Sequence, residues 1–232
     1  MKRLQAAIVL AVTALTMSGA VTGQTLASST PEQPIQTGQP SPSDQLLDAA
    51  HKGDAAAVGQ LLANGVSIDA RGKDGLTPLI VAAASAQPGL VKLLLDKGAS
   101  IDLQDRRGDT ALHYAVMISN VEEVRLLLDE QAKVNLQEEG GLTPLMLSIV
   151  SGPEEITKLL LANGANTEAR DVHGFTALMA ASGGGLVDVM KLLLANGANI
   201  NTQSDDGTTA LKLAVSNGKA EAEKLLRERG AQ

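Results

Sequence analysis

The chain has 232 residues with no cysteine and no tryptophan, and Tyr114 and Phe175 are its single tyrosine and single phenylalanine. Without cysteine there is no disulfide frame and no thiolate metal site, so stability must come from packing. Without an aromatic surface there is no platform on which nucleobases or sugar rings could stack, which argues against single-stranded nucleic acid and carbohydrate as ligands. Positive charge is also scarce: 19 Lys and Arg stand against 26 Asp and Glu, a net charge of −7 that repels a phosphate backbone on average. The three histidines, His51, His113 and His173, are far apart and lack the clustering of metal ligands. The carboxylate pairs Glu138-Glu139 and Asp205-Asp206 fall in polar segments where nothing would perturb a pKa for acid–base work. No catalytic residue, cofactor or metal is expected.

The apolar run from Leu4 to Met17 is shorter than the roughly 20 residues of a spanning helix. Lys2 and Arg3 precede it, and small residues follow at Ser18-Gly19-Ala20 and Thr25-Leu26-Ala27. That is the pattern of a secretory signal over residues 1–27, cleaved after Ala20 or Ala27. No Cys follows the run, so no lipid attachment is expected. Removing Lys2 and Arg3 leaves 17 basic and 26 acidic residues, a mature charge of −9. Residues 28–43 are rich in Pro, Ser and Thr and read as a flexible leader. A periplasmic location is expected, with secretion as the alternative, and no membrane association after signal removal.

What the rest of the chain has is a period. Thr77, Thr110, Thr143, Thr176 and Thr209 are spaced by 33 residues, and Gly75, Gly108, Gly141, Gly174 and Gly207 keep step two residues earlier. A fixed interval of this size marks stacked supersecondary units, not one closed core. Each Thr suits a helix N-cap, with Pro78 or Pro144 at the first helical position. A second apolar run, such as Ile156, Leu159, Leu160 and Leu161, places side chains at helical spacing along one face. It ends at Gly65, Gly98, Gly164, Gly197 or Gly230, where positive φ closes the last turn. Gln131 breaks that series. The polar segment before each Thr reads as a β-hairpin finger.

Asp-x-x-Gly followed by Thr-Pro-Leu or Thr-Ala-Leu, then Leu-Leu-Leu-x-x-Gly-Ala, resembles the ankyrin repeat. The fullest copies are residues 105–113 and the pair 141–145 and 158–166. The resemblance implies an all-α repeat fold, a solenoid of helix-turn-helix units with β-hairpin fingers, over residues 44–232. Six repeats start near 44, 72, 105, 138, 171 and 204. The first, with Asp44 as its cap, and the last, with Arg227-Glu228-Arg229, read as capping repeats. His113 falls where the family places a His bonded between neighbouring fingers.

The family's recognition surface is the concave groove made by the finger tips and the exposed face of the first helices. Carried over by register, it selects Leu76, Arg106, Arg107, Asp109, Met117, Ile118, Leu142, Val150, Val172, His173 and Phe175 as partner-binding residues. Leu76, Met117, Ile118, Leu142, Val150, Val172 and Phe175 form an apolar centre, rimmed by Lys73, Arg106 and Arg107 at one end and Asp205 and Asp206 at the other, which is interface anatomy. Phe175 is the expected anchor. The competing view is that these side chains pack sideways onto adjacent fingers and serve only the stack. Gly183 and Gly184 are expected to leave a dip in the groove. The implied function is a non-catalytic module, monomeric when unbound, that binds another protein in order to protect, scaffold or inhibit it. A secreted effector acting on a host-cell protein is the alternative.

Overall fold

The structure, a computed structural model, describes residues 40–232, which form one unit. The expected signal, and the expected leader up to residue 39, lie outside the described residues. Among the described residues there are twelve α-helices in six antiparallel pairs. They are α1 (Pro42–Lys52) and α2 (Ala55–Ala63), α3 (Pro78–Ala84) and α4 (Pro88–Asp96), α5 (Ala111–Met117) and α6 (Val121–Asp129). The series continues with α7 (Pro144–Ser151) and α8 (Glu154–Ala162), α9 (Ala177–Gly184) and α10 (Val187–Ala195), α11 (Ala210–Ser216) and α12 (Ala220–Glu228).

The caps follow the period. Thr77, Thr110, Thr143, Thr176 and Thr209 each sit at an N-cap and accept the amide three residues on, which satisfies one orphan donor of the first turn. The first repeat differs from expectation: its cap is Ser41, not Asp44. The Ser41 hydroxyl accepts from the Asp44 amide at 3.1 Å, and the Asp44 carboxylate takes the Ser41 amide at 3.2 Å, a capping box that carries the helix through Pro42 and Ser43. The second helices close with the amide after the turn residue reaching back five positions, as from Ala165 to the Leu160 carbonyl and Ala198 to the Leu193 carbonyl. At Gln131 the chain keeps this geometry with φ of 65° despite its Cβ.

The turn between the two helices is also left-handed in most repeats, including non-glycine Ala86 at φ 54°. Gly152 is the exception, extended at φ −104° and ψ 159°, because Pro153 bars the residue before it from the helical region.

Leu94, Leu127, Leu160, Leu193 and Leu226 repeat at the same interval, and all are sealed from solvent between successive helix pairs. The first helices pack on one another more densely than the second helices do, so the stack bends toward the first helices and their face is concave.

The fingers are short hydrogen-bonded turns. Among the described residues the only bridge pairing is the isolated one between Gln203 and Thr209, which corrects the hairpin reading. Backbone bonds close the fingers: Asp105 amide to Asp109 carbonyl at 3.0 Å, Glu138 to Leu142 at 3.1 Å and Asp171 to Phe175 at 3.0 Å, each with a tighter turn inside it from the Gly108, Gly141 or Gly174 amide to the Asp105, Glu138 or Asp171 carbonyl. A second set runs between fingers. The amides of Arg106, Glu139, Val172 and Asp205 donate to the carbonyls of Asp74, Arg107, Gly140 and His173 at 2.8, 2.7, 3.0 and 3.1 Å. Side chains add a third set: Gln137 Nε2 donates to the Gly141 carbonyl of its own finger and the Arg170 carbonyl of the next, and Gln104 and Arg71 do the same one and two repeats earlier.

Candidate functional site

The residue after each finger glycine forms a column along the base of the concave face: Leu76, Asp109, Leu142, Phe175 and Thr208. Leu76, Leu142 and Phe175 are half-buried and pack their inner edges against the core, while the rest of each side chain meets solvent. They therefore stabilise the stack and present apolar surface at once. Phe175 is held from behind, since its amide donates to Asp171 Oδ1 at 2.9 Å.

Asp109 departs from its column. Its side chain is 1% exposed, so it is not the groove contact that the register suggested. Arg107 folds back over it, Nε and Nη2 donating to Asp109 Oδ2 at 3.1 and 2.8 Å. Asp105 organises the loop: its Oδ1 accepts the amides of Arg107 and Asp109 at 2.8 and 3.0 Å, and its Oδ2 accepts the Tyr114 hydroxyl at 2.9 Å. Burial pushes the Asp109 carboxyl up to about 6, although the charge and hydrogen bonds of Arg107 pull the other way. Burial, and then the charge of Asp105, push the Tyr114 phenol well above its ordinary range. Arg106 reaches outward, 72% exposed and 3.8 Å from Asp74.

At the other end of the first helices lie Met117 and Ile118, half-buried, and Val150, 36% exposed. Polar bridges flank this apolar stretch. His51 Nδ1 lies 2.8 Å from Ser85 Oγ on one side, and Asn217 Nδ2 donates to the Gly183 carbonyl at 3.0 Å on the other. That second bridge corrects the expected dip: Gly183 is buried, and a Cβ there would come within 3.3 Å of Asn217 Nδ2. At the tip of the fifth finger Val172 is 59% exposed, with His173 exposed beside it. The fold thus leaves the expected residues at least partly open to solvent, Asp109 excepted.

His113 is fully buried, and its Nδ1 pairs with the Thr110 amide and hydroxyl at 3.2 and 2.8 Å in a capping box. Its Nε2 makes no hydrogen bond of good geometry, but the backbone carbonyls of Leu142 and Leu136, at and just before the next finger, are close enough to favour its protonated form, a weaker version of the expected tie. Tyr114 and Asp105, which fix the third finger, were not singled out in the sequence; a Tyr in a column otherwise made of Val81, Leu147, Ala180 and Leu213 was the available signal. Among the described residues no group of His, Cys, Asp and Glu could hold a metal ion, and no helix is long and apolar enough to cross a membrane.

No curated protein matches the chain in sequence. A family profile described as "Ankyrin repeats (3 copies)" matches residues 46–138, 84–171 and 163–232. Among solved structures, the chain is similar to one in the complex of the predatory endopeptidase Bd0816 from Bdellovibrio bacteriovorus with immunity protein Bd3460. The identity is 28% and the TM-score 0.73, over 81% of this chain and 98% of that one. It is similar to the ankyrin repeat domain of Bcl-3, a member of the IkappaB protein family, at 31% identity and TM-score 0.74, over 81% of this chain and 86% of that one. EF0377, an ankyrin repeat protein, matches at 29% identity and TM-score 0.73, over 80% and 98%. Six helix pairs, five of them with Thr caps at a constant 33-residue interval, linked by stitched fingers and matched by the family profile from residue 46 to 232, place the chain in the ankyrin-repeat family, whose repeats are protein-interaction modules.

Proposed function

We propose that the chain is an exported, non-catalytic module that binds a partner protein through its concave face. The observation that carries this reading is the apolar wall of Leu142, Phe175, Met117 and Ile118, half-open to solvent and uncovered by any other described element of the chain. Folding alone accounts for the inner edges of these side chains. Their outer edges form an apolar centre with Arg106 and Asp205 near its ends, the arrangement of a binding surface. The signal-like start of the sequence supports export. Likeness to a chain from an endopeptidase–immunity protein complex supports a partner enzyme that is held or inhibited.

The test uses the purified chain with its signal removed, wild type beside a Met117→Ala/Phe175→Ala double variant. Capture from periplasmic extract, followed by titration of the captured protein, should give a partner that the double variant binds at least about tenfold more weakly. A melting temperature close to wild type would place the loss in binding. Equal affinity of the two forms, or a loss that only follows unfolding, would overturn the groove assignment. Cell fractionation tests export separately, and retention in the cytoplasm would overturn that part.

A further inference from the structure

An aspartate in the finger-base column is costly where Leu76, Leu142 and Phe175 stand in the neighbouring repeats. A buried ion pair contributes little net stability compared with an apolar residue of similar volume. Asp109 has a positional effect, however: it anchors the guanidinium of Arg107. Both bonds to Asp109 Oδ2 use the Nε and Nη2 edge, and among the described residues the guanidinium makes no other hydrogen bond, while the side chain remains 48% exposed. The loop behind it is fixed by Asp105 and Tyr114. Most exposed arginines lose side-chain entropy when a ligand orders them; this one is ordered beforehand.

Its neighbours narrow the ligand. The Arg107–Asp109 pair is neutral as a unit, so an anion also needs Arg106, which is 72% exposed and only loosely associated with Asp74 at 3.8 Å. The next fingertip carries Glu139, whose amide is bound to the Arg107 carbonyl at 2.7 Å. With Asp74 on one side and Glu139 on the other, a run of acidic residues would be repelled, whereas a single carboxylate between them is favoured. Leu142, one column step beyond Asp109, and Phe175 beyond it offer apolar surface next to this point.

We infer that Arg107, positioned by Asp109 and assisted by Arg106, receives one Asp or Glu side chain of the partner protein, flanked by an apolar residue that packs toward Leu142 and Phe175. This rests on the groove reading above. Asp109 is then a positioning residue and does not touch the partner.

A randomised peptide-display library panned on the full chain reads the chemistry directly, whichever protein the partner is. Groove binders are recognised by their loss of affinity for Met117→Ala/Phe175→Ala. They should carry an acidic residue at one fixed position beside an apolar one. They should bind Arg107→Leu roughly tenfold more weakly, the scale of a charge-assisted hydrogen bond, and regain part of that with Arg107→Lys. Asp109→Leu should weaken the same peptides while leaving unchanged the residual affinity of their counterparts in which the fixed Asp or Glu is replaced by Asn or Gln. Thermal melts check folding, and the charge-retaining Arg107→Lys serves if Arg107→Leu fails to fold. Groove binders with no fixed acid, or indifferent to Arg107→Leu, would overturn this inference and leave the groove standing. Binders indifferent to Met117 and Phe175 would overturn the groove itself. Displacement of the peptides by millimolar inorganic phosphate alone would reassign the arginines to a free anion and overturn the inference, as would a library that yields no binder.

Discussion

Glu123 lies 33 residues after Leu90 and is buried like it, a carboxyl in a column continued by Ile156. Neither of its oxygens has a hydrogen-bond partner; the Gln87 amide and Asn120 side chain are close enough only to temper the effect. Burial, with the charge of Glu122, raises the group from its ordinary 4.5 to about 7.

The folded protein therefore binds a proton more readily than the unfolded chain between those two values, and this group's contribution to stability falls as pH rises through that window. The full penalty above the window is of order 3 kcal/mol. Glu123→Leu should raise the melting temperature at pH 8 far more than at pH 4.5. An equal gain at both pH values would refute the titration argument.

His113 acts with the opposite sign. Burial lowers it from 6.5 to about 4, with the carbonyls of Leu142 and Leu136 opposing weakly. The unfolded chain then binds the extra proton, so stability is present above 6.5 and drains as pH falls toward 4. In wild type the two groups offset one another between pH 4.5 and 6.5. Melting curves of Glu123→Leu should therefore show a steeper acid loss than wild type, and His113→Gln a shallower one. Parallel pH profiles for all three proteins would count against both assignments.

Gln131 holds φ at 65° in the place where Gly98 and Gly164 stand one repeat away on either side. Relief of the left-handed strain is worth about 1–2 kcal/mol, from which the greater freedom of glycine in the unfolded chain subtracts about half. Gln131→Gly should stabilise by roughly 1 kcal/mol in denaturant titration. A decrease would mean that the Gln131 side chain contributes more than its backbone costs.

Gln137 ties two fingers through its amide nitrogen, 2.7 Å from the Gly141 carbonyl and 2.9 Å from the Arg170 carbonyl. Gln137→Ala leaves both carbonyls to water and should cost about 1–2 kcal/mol. Faster hydrogen exchange at the Val172 amide, whose bond to Gly140 lies beside this tie, is the local signature. Unchanged exchange there would show that the fingers hold without it.

Most of the fold was legible because the period repeats each local signal: one Thr before an apolar run is ambiguous, but five in register fix the caps, and the glycines fix the turns. The departures share a cause, since each depends on a neighbour that the register does not encode. Ser41 took the first cap because Asp44 could return a bond to it. Asp109 is buried because Arg107 two residues earlier can fold over it. Gly183 is roofed by Asn217, 34 residues away. Column membership places a Cα; whether its side chain faces water depends on which adjacent residue is long enough to reach it.

The bonds from the amides of Arg106, Glu139, Val172 and Asp205 to the preceding fingers use main-chain atoms alone. The spacing of the tips therefore rests first on the main chain, and most residues can be exchanged there without breaking that frame, although exchange of Asp205 also loses the bond from Arg170 Nη2 at 3.0 Å. Proline is the exception at those four positions, because it has no amide hydrogen to give. The chemistry of the tips can vary while the rail beneath them stays the same.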